Sequence, residues 1–219
     1  MADIKFCGLT TAEDAALAGA LGARYAGVVF AGGPRAVDPE RAADVLDAAG
    51  PAVTRVGVFG AADPSTLARI VTAARLQIVQ LHGDPRPDDV RRAREVSGVA
   101  IWAVIRIGAA VDLPSFAPLE AVADGLVFDT LRSGVLGGTG RAFDWPALAR
   151  AASGWQRRVP WIIAGGLTPQ NVAAAIAAVD PDVVDVSSGV ERVPGRKDGE
   201  RMRSFVDAVR SAQRATRPA

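Results

Sequence analysis

Apolar residues gather in eight short runs: Ile4 to Phe6, Tyr25 to Phe30, Val56 to Phe59, Ile78 to Leu81, Ile101 to Ile105, Gly125 to Phe128, Trp161 to Ile163 and Val183 to Val186. Most are nearly continuous and rich in Val, Ile, Leu or Phe, as strands covered on both faces are. Between them lie segments of helical period built largely from Ala and Arg: Thr11 to Leu21, Pro39 to Ala49, Pro64 to Ala74, Pro87 to Val96, a short one near Ser115 to Val122, Asp144 to Ala152, Pro169 to Ala178 and Gly199 to Ala212. Asp38-Pro39, Asp63-Pro64 and Thr168-Pro169 each put a capping side chain before a proline, which predicts helix starts at those points.

Buried strands alternating with helices require a parallel sheet covered by helices. Eight repeats predict an α/β fold, a closed (β/α)8 TIM barrel forming one domain over residues 1–219. A doubly wound open sheet is the alternative, but no GxGxxG follows the first strand. Strand starts are farthest apart after the second and the sixth strands. Both surpluses precede helices, so they are loops at the carboxyl ends of strands, the face on which barrels build active sites.

Composition narrows the chemistry. The 219 residues are 49% hydrophobic, yet no apolar run approaches a membrane span. The start Ala2-Asp3 followed by a strand does not read as a signal peptide, so a cytoplasmic protein with no membrane partner is expected. With one cysteine, no CxxC and one histidine, neither a disulfide nor a metal site is expected. A net charge of +1, with Arg and acids interleaved along the helices, offers no basic stripe for nucleic acid. Monomer and homodimer both fit the scattered surface hydrophobes. Lys5, Lys197 and His82 are the only residues of their types, so a serine-type triad would need His82 and a Schiff base would need Lys5.

Candidate chemistry lies at the strand ends. Strand alternation puts Lys5 and Cys7 on the side opposite Ile4 and Phe6, with the thiol at the carboxyl end of the first strand. A buried structural cysteine and a reactive one fit these residues equally. Asp129 ends the sixth strand on the side opposite Phe128; it reads as a loop cap or as an acid facing Cys7 from the opposed side of the barrel. Gly165-Gly166 and Ser187-Ser188-Gly189 follow the last two strands, where bare backbone N–H groups and a short helix can hold a phosphate without lysine. Arg35 lies in the first enlarged loop and is a candidate for a substrate carboxylate. Gly137-Gly138-Thr139-Gly140 lies in the second and is a candidate for closure over the site. His82 reads as a structural histidine and is assigned no catalytic part. Lys5 inside a barrel needs a carboxylate, and Asp185 on the neighbouring last strand is its expected partner.

Lys5-Phe6-Cys7-Gly8-Leu9-Thr10, Arg55-Val56-Gly57-Val58-Phe59, Val79-Gln80-Leu81-His82-Gly83, Phe128-Asp129-Thr130, Gly137-Gly138-Thr139-Gly140 with Phe143-Asp144-Trp145, Ala164-Gly165-Gly166-Leu167 and Asp185-Val186-Ser187-Ser188-Gly189-Val190-Glu191 together resemble phosphoribosylanthranilate isomerase from end to end. That resemblance implies a (β/α)8 barrel and an Amadori rearrangement in tryptophan biosynthesis. N-(5-phosphoribosyl)anthranilate would become 1-(2-carboxyphenylamino)-1-deoxyribulose 5-phosphate, with no cofactor. It also implies Cys7 as general base, Asp129 as general acid, Arg35 on the anthranilate carboxylate and the glycine loops on the phosphate. Lys5 is expected to help ionise the thiol, and a dry setting beside Phe128 to keep Asp129 protonated. The chain departs from the family at Phe6, usually isoleucine, and at Gly33, usually serine, the latter bearing on Arg35. A sugar-phosphate epimerase, a dual-substrate isomerase also serving histidine synthesis, and a silent phosphate-binding barrel are the rivals. The dual-substrate enzyme would want an aspartate where Cys7 stands.

Overall fold

The computed structural model describes residues 1–61, 63–108, 111–130 and 144–215. Eight parallel strands close in sequence order into a barrel, each followed by helical structure. They are β1 Asp3–Phe6, β2 Tyr25–Val29, β3 Thr54–Phe59, β4 Ile78–Leu81, β5 Ala100–Ile107, β6 Gly125–Thr130, β7 Trp161–Ile163 and β8 Val183–Val186. The helices are α1 Ala12–Ala20, α2 Pro39–Ala48, α3 Pro64–Ala73, α4 Pro87–Ser97, α5 Ala117–Glu120, α6 Trp145–Ala151, α7 Val172–Val179 and α8 Gly199–Ala215. The closed order excludes the open sheet.

Strand alternation divides the core into two layers. Outward residues such as Phe6, Val28, Phe128 and Ile163 pack under the helices, where Phe6 meets Phe205 of α8 with ring centroids 6.3 Å apart. Inward residues such as Val56, Trp102, Val104, Val127, Ile162 and Val183 fill the barrel. Complete burial of side chains this size contributes about 1.5–3 kcal/mol each. Phe6 thus alters only the helix-facing layer.

Polar residues break the inner layer near the carboxyl ends. Lys5, Gln80, Asp129 and Asp185 are all buried. Lys5 and Asp185 are direct register partners between β1 and β8, and their head groups are 2.7 Å apart, the pairing expected from alternation.

Three local expectations change. Asp63 caps α3 through the Thr66 N–H at 3.0 Å, but the Asp38 side chain makes no capping bond to α2. Helix α7 starts at Val172 rather than Pro169, because the Asn171 side chain accepts the Thr168 N–H at 2.7 Å and donates to the Gly166 carbonyl at 2.9 Å, closing a turn first. After β8 a short 3₁₀ turn, Ser188–Val190, leads into an unforeseen hairpin of β9 Glu191–Val193 and β10 Arg196–Lys197. The Gly137-Gly138-Thr139-Gly140 segment lies outside the described residues.

Candidate active site

A cavity of about 350 Å³ opens at the carboxyl ends of the strands. Cys7, Arg35, Asp129, Gly165, Gly166, Asp185, Ser187 and Ser188 all line it, so the candidates from distant parts of the sequence converge on one space. Gly189 does not line it. Its Cα lies so close to the Leu167 carbonyl that a side chain there would collide with backbone, and this contact seats the loop after β8 against the loop after β7.

Cys7 follows β1 and is held by its own N–H, which donates to the Val186 carbonyl at 2.9 Å. A Cβ added at Gly27 would stand 3.2 Å from Cys7 Sγ and 3.3 Å from Lys5 Nζ, so thiol and ammonium crowd the same inner face of β2. Burial pushes the thiol above its ordinary value; Lys5 opposes that and is outweighed, with Asp185 adding to the rise. Lys5 therefore does favour the thiolate, as expected, but burial outweighs it. Lys5 is itself raised: burial lowers it, but the attraction of Asp185 and Cys7 prevails.

Asp129 sits in β6, three strands from β1 by way of β7 and β8, so it and Cys7 line one cavity from strands that are not diametrically opposed. Its Oδ1 accepts the Thr130 N–H at 2.7 Å. Burial raises its carboxyl above the ordinary range, against the opposing effects of His82 and that backbone bond. Gly165 makes this position possible: at φ +77° it adopts a left-handed turn, and a Cβ there would meet the Asp129 carboxylate and lie 2.6 Å from Thr130 Oγ1.

His82, read from sequence as structural, lies 3.5 Å from Asp129 through Nε2 and lines the cavity. Burial lowers its pKa, with Arg106 in the same sense, so the ring is neutral at pH 7. Among the described residues, three buried polar atoms on the cavity lining have no hydrogen-bond partner: Gln80 Oε1, His82 Nδ1 and Asp185 Oδ1. Orphaned buried groups are rare in folded proteins, and three around one cavity mark a surface complementary to a polar ligand. Gln80 was missed, although inward alternation in β4 contained the signal.

Arg35 is in the cavity wall with its guanidinium already engaged, Nε and Nη2 donating to Glu191 Oε1 and Oε2 at 2.8 and 2.6 Å. Its loop is fastened by a bridge between Val29 and Ala36 and by the Val37 N–H to the Val29 carbonyl at 3.0 Å. In the loops after β7 and β8, the N–H groups of Gly165, Gly166, Ser188 and Gly189 donate none of the hydrogen bonds found among the described residues. Among those residues no cluster of His, Cys, Asp and Glu has the form of a metal site, and no helix is long and apolar enough to cross a membrane.

The chain and its fold have counterparts among known proteins. A relative from Pseudomonas aeruginosa, N-(5'-phosphoribosyl)anthranilate isomerase, is 44% identical over 212 residues, covering 96% of each chain. The crystal structure of phosphoribosyl anthranilate isomerase from Thermus thermophilus superposes with a TM-score of 0.82 at 34% identity, over 95% of this chain and 98% of that one. A phosphoribosyl anthranilate isomerase in complex with reduced 1-(o-carboxyphenylamino)-1-deoxyribulose 5-phosphate superposes with a TM-score of 0.81 at 29% identity, over 96% of this chain and all of the other. Residues 4–208 match the family described as N-(5'phosphoribosyl)anthranilate (PRA) isomerase, and the chain belongs to that family.

Proposed function

We propose that this isomerase converts N-(5'-phosphoribosyl)anthranilate to 1-(2-carboxyphenylamino)-1-deoxyribulose 5-phosphate in tryptophan biosynthesis, with Asp129 as general acid and Cys7 as general base. The observation that carries the assignment is a single cavity, at the end of the barrel where such enzymes work, lined by both groups.

In the first step Asp129 gives its proton to the ring oxygen as the bond from that oxygen to C1 breaks. The nitrogen lone pair forms the C1=N bond, leaving an open-chain iminium ion. Desolvation favours this step, because burial raises the carboxyl above its ordinary range and so increases the share of molecules in which it carries a proton. The Cys7 thiolate then removes the proton from C2, and that bond pair forms C1=C2 while the iminium electrons return to nitrogen. The resulting enolamine becomes the ketone as C1 gains a proton and the C2 hydroxyl loses one. Burial makes the thiolate scarce but a stronger base once formed, and the adjacent iminium cation stabilises it when it is needed.

The unpaired Gln80, His82 and Asp185 atoms suit the sugar hydroxyls. Gly165, Gly166, Ser187 and Ser188 supply a cluster of backbone donors suited to the phosphate, with Gly189 seating their two loops together. Arg35 receives the anthranilate carboxylate. No cofactor enters any step. The enzyme acts in the cytoplasm as a monomer or homodimer on a small phosphorylated molecule, without nucleic acid or membrane. Loss of anthranilate fluorescence on adding purified protein to freshly made substrate is the direct test. Turnover by the wild type that vanishes in both Cys7→Ala and Asp129→Asn is expected, and near-normal turnover in either variant refutes its assigned role.

A further inference from the structure

The hairpin of β9 and β10 brings two charges to Arg35 that no periodicity announced. Glu191 receives Arg35 on both oxygens and Lys197 Nζ on Oε1 at 3.0 Å, and Lys197 also donates to the Ser187 carbonyl at 3.1 Å. The Glu191 side chain is only 4% exposed and that of Lys197 not at all, while Arg35 retains 17%. Burial alone would raise the Glu191 carboxyl; Arg35 and Lys197 outweigh it and hold it below its ordinary value, so it is ionised at neutral pH. Burial lowers the Lys197 ammonium against the pull of Glu191, and Arg35 and Lys197 both donate to that one carboxylate at the cavity wall.

A guanidinium carries five N–H donors in a rigid fork, so it has two edges that each fit a carboxylate. Glu191 occupies the edge made by Nε and Nη2. Nη1 makes none of the hydrogen bonds found among the described residues, so the edge shared by Nη1 and Nη2 remains open. We propose that Glu191 and Lys197 are positioning residues that clamp one edge of Arg35, so that its other edge is presented, already oriented, to the carboxylate of the substrate.

The surroundings fit a clamp. A Cβ at Gly8 would stand 2.7 Å from Arg35 Cδ, so the loop bearing Cys7 leaves room for the arginine stem and for little more. A Cβ at Gly195, in the hairpin turn, would stand 2.6 Å from the Pro34 carbonyl, and Thr10 Oγ1 donates to the Gly195 carbonyl at 2.5 Å. Loops after β1, β2 and β8 are thereby tied together around Arg35. A free arginine side chain loses rotamer entropy when it is fixed, and a clamp meets that cost before substrate arrives.

The inference rests on Arg35 as the carboxylate holder, and its test separates the two. Ribose 5-phosphate mixed with anthranilate gives the carboxylated adduct, and with aniline the same adduct without the carboxylate. The ketose products are quantified by chromatography. Glu191→Gln is expected to raise KM for the carboxylated adduct about tenfold, with kcat within about threefold, and to change KM for the aniline adduct by less than about twofold. Glu191→Gln combined with Lys197→Met, which leaves no buried unpaired ammonium, should show the same selectivity and guards against simple misfolding. Equal losses on both adducts would make the hairpin merely structural and overturn the clamp, and a fall in KM would show that Glu191 competes with the substrate. Arg35→Lys completes the comparison. If it discriminates between the adducts while Glu191→Gln does not, only the clamp fails; if it does not discriminate either, the reading of Arg35 fails with it.

Discussion

Replacing Asp129 by Asn separates what the carboxyl does for catalysis from what it costs the fold. The substitution keeps the shape and an oxygen for the Thr130 N–H, bonded at 2.7 Å, and it keeps a polar neighbour for His82 at 3.5 Å. What disappears is a transferable proton. A positioned general acid is worth about 10²–10⁴ in rate, so kcat in the fluorescence assay should fall by that factor, or about 2.7–5.5 kcal/mol of transition-state stabilisation. Stability should move the other way. Burial raises the folded-state pKa of this carboxyl, so the native protein binds that proton more tightly than the unfolded chain does. The contribution is fully present below the unfolded value of about 3.9 and is lost as pH rises through the raised one. Asparagine has no such dependence. The difference in melting temperature between variant and wild type should therefore grow in favour of the variant from pH 4 upward and then level off. Turnover within about tenfold of wild type would refute the acid role. A variant that loses ground as pH rises would refute the electrostatic account of this site.

Other outcomes follow from the same geometry. Alkylation of Cys7 by iodoacetamide should abolish activity, be slowed by bound substrate, and accelerate with pH through a midpoint above the ordinary thiol value of about 8.5; a midpoint at or below that value would contradict the dominance of burial over Lys5. Lys5→Met should destabilise the protein by about 3–5 kcal/mol in urea titrations, because Asp185 is left charged and unpaired inside the barrel, and a loss under about 1 kcal/mol would mean water reaches the pair. Gly165→Ala should cost about 1–2 kcal/mol for a side chain at φ +77° and lower kcat by displacing Asp129; wild-type kcat would show that the loop yields without moving the acid.

The barrel was readable because its strands are covered on both faces, so each one is an apolar run flanked by helical periodicity. Lys5 with Asp185 was readable for a related reason: both lie on inward positions of adjacent strands, where a lone buried lysine admits few partners. His82 with Asp129 was not, since β4 and β6 are separated by β5 and nothing in the spacing reports how far a loop side chain leans inward. The β9 and β10 hairpin was hidden by its brevity and its charged residues, although Pro194-Gly195 does mark a turn. Missing it left Arg35 with an apparently free guanidinium. The late start of α7 escaped because Thr168-Pro169 carries a helix-start signal, while the amide of Asn171 takes the Thr168 N–H into a separate turn.

The seam between β1 and β8 joins the two barrel strands that lie farthest apart in sequence. Cys7 is steadied by the carbonyl of Val186, and the ammonium below it has its counter-ion only once Asp185 is in place. A barrel without β8 in place therefore holds an unneutralised lysine at an open sheet edge and has no anchored thiol. The closing of the barrel and the assembly of the groups around Cys7 are therefore one and the same contact, that of β8 with β1.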